Sequence, residues 1–221
     1  MLILGIDDAG RGPVIGPMII AGCLIDSKYE RELKNLGVKD SKQLTQKRRE
    51  FLFEKIKELS IKYDFVIILP EEIDSSNKNK INLNELEAIK MAEVINKIND
   101  GKERIKVIID CPSVSINKWK DYLKTKVENL SNLEINAEHK ADVNYVEVSA
   151  ASIIAKCIRE KEMDKLREIY GEEIGSGYTS DPKTCTFLES NFKKHKNKGI
   201  FRKSWSTWKE TCSKTKQQKL F

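Results

Sequence analysis

Two short apolar runs do most to limit what this chain can fold into, because each ends on an acid: residues 2–6 lead into Asp7 and Asp8, and residues 105–109 into Asp110. Segments this short and this rich in Ile, Leu and Val read as largely buried strands rather than helices. Open α/β sheets place their sites at strand carboxyl ends, where a charge in a buried position is costly. Asp7 and Asp8 adjoin, so they repel each other unless a cation or a proton intervenes, and a divalent metal is an economical explanation. Read alone, the pair equally suits a solvated turn leading to Gly10-Arg11-Gly12-Pro13.

The pattern around these runs is that of an α/β chain. Residues 17–25 are apolar except Gly22 and Cys23 and read as a second strand, joined to the first as a hairpin through the glycine-rich turn. Residues 43–59 carry apolar positions at Leu44, Phe51, Leu52, Ile56 and Leu59 with charges between them, a helical spacing. Residues 65–69 form a third strand ended by Pro70, and residues 74–84, polar and rich in Asn and Lys, read as an exposed connection. Helices are predicted over 85–99 and 117–130, a strand over 133–137, and a long helix over 147–169. The simplest division is one α/β domain, residues 1–180, followed by a basic helical segment, residues 181–221.

Of the 221 residues 39% are hydrophobic and 33% charged, and no apolar run approaches the ~20 residues of a membrane span. The N-terminus lacks a signal-type segment, so a cytoplasmic chain is expected. Five dispersed cysteines without Cys-x-x-Cys spacing argue against a zinc site and against a disulfide framework. The net charge of +6 is unevenly spread, because residues 193–221 hold ten Lys or Arg and one acid, Glu210. Such a segment suits a polyanion. Phe201, Trp205 and Trp208 lie among these lysines, where they can stack on bases, although aromatic residues three apart on a helix more often anchor it.

A further acid, Asp142, follows the strand at 133–137 in His139-Lys140-Ala141-Asp142. Four carboxylates, Asp7, Asp8, Asp110 and Asp142, suffice for two hard cations, which together can activate water and stabilise the departing oxygen of a phosphodiester. Asp142 equally suits a helix cap or a pairing with Lys140. His139 reads as a hydrogen-bonded structural residue, since no metal-type histidine spacing surrounds it. Residues 149–156 read as packing, because Ala150, Ala151 and Ala155 let a helix lie close to a sheet.

Taken together, Gly5 to Pro13, Lys39-Asp40-Ser41-Lys42-Gln43-Leu44-Thr45, Ile109-Asp110, Lys140-Ala141-Asp142, the run from Ser149 to Lys156, and Gly175-Ser176-Gly177-Tyr178-Thr179-Ser180-Asp181-Pro182 resemble the type 2 ribonucleases H, specifically archaeal ribonuclease HII. The resemblance spans nearly the whole chain. It implies a ribonuclease H-like mixed sheet flanked by helices, with a helical C-terminal segment. The implied activity is hydrolysis of RNA in RNA/DNA hybrids and at ribonucleotides embedded in duplex DNA, with Mg²⁺ or Mn²⁺, two ions in the reacting complex, leaving 3′-hydroxyl and 5′-phosphate ends. A monomer is expected. The related ribonuclease HIII group carries an additional N-terminal domain, whereas here the first catalytic strand begins at Leu2.

Residue by residue, the resemblance implies that Asp7, Asp8, Asp110 and Asp142 are the catalytic metal ligands. Gly10, Arg11 and Gly12 match the segment that approaches the ribose 2′-hydroxyl, Tyr178 the tyrosine that packs on the next sugar, and Lys42 a phosphate contact. Asp8 departs from the family pattern, which has glutamate, and aspartate is one methylene shorter. An alternative function follows from that departure: a nucleic-acid-binding or clamp-associated module with weakened catalysis. The terminal Gln217-Gln218-Lys219-Leu220-Phe221 loosely resembles the tail by which some relatives bind a sliding clamp, and also suits a frayed basic terminus.

Overall fold

The computed structural model describes residues 1–39 and 44–217. Lys42 and the tail residues 218–221, to which sequence analysis assigned phosphate and clamp contacts, lie outside the described residues. The chain forms two compact units: one of residues 1–9, 19–66 and 84–158, the other of residues 10–18, 67–83 and 159 onward. The strands are β1 (Leu2–Ala9), β2 (Met18–Asp26), β3 (Lys62–Ile68), β4 (Ile105–Asp110) and β5 (Leu133–Glu138). The helices are α1 (Glu30–Asn35), α2 (Gln46–Leu59), α3 (Pro70–Lys78), α4 (Leu83–Ile98), α5 (Ile116–Lys124), α6 (Ala141–Asn144), α7 (Val146–Tyr170), α8 (Pro182–His195) and α9 (Ser206–Gln217).

The strands make one mixed sheet in the order β3-β2-β1-β4-β5. β1 pairs antiparallel with β2, Ile6 opposite Gly22, which is the expected hairpin. It pairs parallel with β4, Ile6 opposite Ile109, and β4 pairs parallel with β5, Asp110 opposite Glu138. Two glycines mark where helices press on opposite faces. A Cβ on Gly5 would lie 2.2 Å from the Glu147 carbonyl carbon at the start of α7. A Cβ on Gly22 would lie 2.7 Å from Val94 and 2.9 Å from Ile98, both on α4. Side chains alternate along a strand, so Gly5 and Asp7 share the α7 face while Ile6 and Asp8 point the other way. With helices on both faces, Leu4, Ile6, Ile20 and Ile109 are wholly buried.

Two expectations are corrected. Residues 74–84 are an exposed connection only in part: α3 takes in residues 74–78, α4 begins at Leu83, and Asp74 and Ser76 are buried. Pro70 starts α3 at a position that needs no amide donor, and Asp74 accepts hydrogen bonds from the amides of Lys203 and Ser204, both at 2.8 Å. Such distant partners leave no local trace. The helix predicted to reach residue 130 stops at Lys124. Asn96 of α4 then captures the following backbone, donating to the Lys126 carbonyl at 3.1 Å and accepting from the Glu128 amide at 3.0 Å.

The second unit has its own core, in which Val14 and Ile15 pack with Ile174, Phe187, Phe201 and Trp208. The segment after β1 is bound there by its backbone: the Val14 amide donates to the Gly177 carbonyl and the Gly16 amide to the Ile200 carbonyl, each at 2.9 Å. Phe201 and Trp208 are thus anchors, the reading that their spacing favoured.

Candidate active site

Three parallel neighbours deliver the acids. Ile6 and Ile109 lie opposite each other on β1 and β4, and the next residue on each strand is the aspartate, Asp7 or Asp110. β5 ends level with Asp110, and the chain reverses into α6 through Lys140 at φ 58°, in the left-handed region that a non-glycine residue rarely occupies. That turn aims the Ala141 amide at Asp110 Oδ1, 3.0 Å away, and brings in Asp142 at the first turn of α6. As a result carboxylate oxygens of Asp7, Asp110 and Asp142 all lie within 4.8 Å of one another. Asp7 and Asp142 are buried, and Asp110 is partly so.

Three carboxylates this close repel, and at Asp7 burial adds to the charge around it. Its pKa is held well above the ordinary carboxylate value, first by burial, then by the charge of Asp8, while a hydrogen bond from Ser152 works in the opposite direction. Its Oδ1 also accepts from the Asp8 amide at 2.7 Å. A cluster of hard oxygen ligands whose mutual repulsion a cation would relieve fits a divalent metal such as Mg²⁺ or Mn²⁺. Asp8 is half-buried and is not one of the three clustered acids. Strand alternation is the reason, since Asp8 follows Asp7 and leaves β1 on the opposite face.

Within the second unit, Gly10-Arg11-Gly12 is held by its carbonyl oxygens. Arg202, fully buried, donates Nη2 to Gly10 O at 2.6 Å, Nη1 to Arg11 O at 2.8 Å and Nε to Gly16 O at 3.1 Å. The Trp205 indole donates to Gly12 O at 3.0 Å. Gly10 has φ 82°, and a Cβ there would strike Arg159 and the Pro17 carbonyl, so glycine is required on both counts. A Cβ on Gly12 would lie 3.8 Å from the ring of Tyr178, which therefore sits beside the loop with 37% of its surface exposed.

A family model described as Ribonuclease HII matches residues 4–208. The chain belongs to the ribonuclease HII family. The ribonuclease HII of Methanocaldococcus jannaschii is 46% identical over 230 aligned residues, spanning 100% of this chain and 99% of that protein. The crystal structure of the ribonuclease H2 from Pyrococcus horikoshii OT3 matches with a TM-score of 0.84 at 40% identity, over 96% of this chain and 97% of that one. The structure of the PCNA:RNase HII complex from Archaeoglobus fulgidus matches with a TM-score of 0.81 at 36% identity, over 93% and 96% of the two chains. As a member of the ribonuclease HII family the chain is a metal-dependent ribonuclease H hydrolase, and its mixed sheet with flanking helices is the fold that the resemblance implied.

Some supports of the acidic cluster carry no sequence signal of their own. Ser149 and Ser152 lie in the run assigned to packing, yet Ser149 Oγ donates to the Asp142 carbonyl at 2.6 Å and Ser152 bonds to the Asp7 carboxylate. Arg159 and Arg202 are buried, and no local pattern in the sequence marks either. His139 does serve structure: its Nδ1 bonds to the Cys111 carbonyl at 3.0 Å.

Proposed function

We propose that the chain is an endoribonuclease that cuts the RNA strand of RNA/DNA hybrids and single ribonucleotides embedded in duplex DNA, leaving 3′-hydroxyl and 5′-phosphate ends. The observation that carries this reading is the convergence of Asp7, Asp110 and Asp142 within 4.8 Å at adjacent strand ends. Two Mg²⁺ or Mn²⁺ ions, when bound, would supply the positive charge that makes water a nucleophile and offsets the charge on the departing oxygen. Asp7, Asp110 and Asp142 would hold them, and Asp8 is proposed as a fourth ligand. Gly10, Arg11 and Gly12 offer close backbone approach to the 2′-hydroxyl, and Tyr178 offers an exposed ring to the neighbouring sugar. The basic residues from 193 onward other than the buried Arg202, with Lys42, contribute phosphate contacts that position the duplex without reading its sequence. The Archaeoglobus relative was solved with PCNA. By extension a sliding clamp is a proposed partner through residues 217–221, and the enzyme acts as a monomer.

The position of Asp8 favours one second reading, a nucleic-acid-binding or clamp-associated module with weakened catalysis. Incubation with a DNA duplex containing one ribonucleotide, with Mg²⁺, with Mn²⁺ and with chelator, separates the two. Metal-dependent cutting at the ribonucleotide, leaving 3′-hydroxyl and 5′-phosphate ends, is the expected result. Tight binding without cutting in either metal would establish the binding module instead.

A further inference from the structure

Arg159 lies on α7 in the second unit, 7% exposed, and it lies against both Gly10 and Tyr178 of the proposed ribose site. Its Nη2 donates to the Ser176 carbonyl at 2.9 Å, and its guanidinium carbon lies 4.9 Å from the centre of the Tyr178 ring. The side-chain stem fills the space over Gly10, where a Cβ would come within 2.4 Å of Nε and 2.5 Å of Cδ. A Cβ on Gly177 would in turn stand 3.3 Å from Nη2 and 2.4 Å from the Ile15 carbonyl oxygen. One side chain is therefore wedged between the loop that follows β1 and the turn that carries Tyr178.

The placement is expensive, which argues against chance packing. Arg159 Nε is buried with no hydrogen-bond partner, and burial lowers the guanidinium pKa from its usual range. A neutral side chain of similar length would fill the same volume without that cost. What it would lack is the planar cation against the tyrosine face and the forked donor to the turn.

We propose that Arg159 is a positioning residue for ribose recognition: it sets the Tyr178 ring and the Gly10 backbone in register, so that cutting at a lone ribonucleotide depends on it. The proposal rests on the role given above to Gly10, Gly12 and Tyr178. It does not make Arg159 a catalytic residue, since the groups it touches belong to the loop and the turn.

The test compares single-turnover cutting of a one-ribonucleotide duplex and of a long RNA/DNA hybrid by the native enzyme, Arg159→Met, Arg159→Lys, Tyr178→Ala and the Arg159→Met/Tyr178→Ala pair. Circular dichroism checks the fold, and the Tyr178 ring resonance, assigned through Tyr178→Phe, is followed in ring-labelled protein. Arg159→Met should shift or broaden that resonance and slow cutting at the lone ribonucleotide on the order of 10-fold, with a smaller loss on the hybrid. Arg159→Lys, which keeps the charge and loses the fork, should fall between. The double variant should lose less than the product of the two single losses, because either change alone already removes the Arg159–Tyr178 contact. An unmoved Tyr178 resonance, or additive losses, overturns the proposal while leaving the role of Tyr178 standing. If Tyr178→Ala itself affects both substrates equally, the reading of Tyr178 fails first and the purpose assigned to Arg159 falls with it.

Discussion

The Ala141 amide donates to Asp110 Oδ1 at 3.0 Å, so the carboxylate that ends β4 also fixes the start of the short helix bearing Asp142. One acid orients the element that carries another. The oxygens that converge at the strand ends are thus held by backbone geometry as well as by side-chain rotamers, the kind of support that keeps a metal site in shape.

Asp7→Asn and Asp110→Asn should each reduce hydrolysis by about 10²-fold or more, the several kcal/mol that metal-held charge stabilisation supplies. Without metal, Asp7→Asn should melt higher than the native protein at neutral pH. Burial and the Asp8 charge hold the Asp7 pKa up, so its ionised form is a cost that asparagine does not bear. Added Mg²⁺ or Mn²⁺ should raise the melting temperature of the native protein more than that of either variant. Near-normal turnover by either variant in Mg²⁺ would remove that residue from the ligand set.

Asp8→Glu should raise activity with Mg²⁺ more than with Mn²⁺. The longer side chain restores the reach that the family pattern implies, and Mg²⁺ demands near-ideal octahedral geometry. A poorly placed ligand is expected to cost as much as the ~10–100-fold seen when outer support of a metal is lost. Turnover against metal concentration on one junction substrate measures it. A glutamate variant slower in both metals would show Asp8 to be suited to its own surroundings.

Glu147, buried at the start of α7, supplies a pH test away from the metal site. Burial is the main reason that its pKa stands above the usual 4.5, with the Glu30 charge adding to it. A carboxyl with a raised folded-state pKa contributes stability fully below its ordinary value and loses it as pH rises through the raised one. Glu147→Gln should therefore match the native protein near about pH 4 and melt higher at about pH 8, by about 2–4 °C for each kcal/mol relieved. A melting difference that does not change with pH would show that the carboxyl is not under strain. The same variant should ease the Cys23 thiol, which burial and then the Glu147 charge push up to about 12.

Changing Lys193, Lys194, Lys196 and Lys203 to glutamine should weaken hybrid binding and flatten its dependence on salt, without moving the cut. All four side chains are exposed. Each one that contacts a phosphate accounts for about 0.9 in the slope of log affinity against log salt. An unchanged slope would show that this face does not meet the duplex. Truncation is the wrong tool, because Arg202, Phe201 and Trp208 hold the second unit together.

The strands, the hairpin, the long helix and the acids at the strand tips were legible in the amino-acid sequence because their signals are local. A run of branched apolar residues, a helical spacing and a charge where the run ends can all be read within a dozen residues. The motifs in order were enough to reach the ribonuclease HII family. Tertiary structure alone decided which acids meet. Asp7 and Asp110 come together because β1 and β4 pair in parallel, and Asp142 joins them through the left-handed turn at Lys140. Asp8 stays outside that cluster because adjacent strand residues face opposite ways. The helix at 70–78 and the buried roles of Arg159, Arg202, Ser149 and Ser152 were equally hidden. Their partners are distant in sequence or supplied by backbone carbonyls, and a carbonyl has the same chemistry at every residue, so no pattern of side chains announces it.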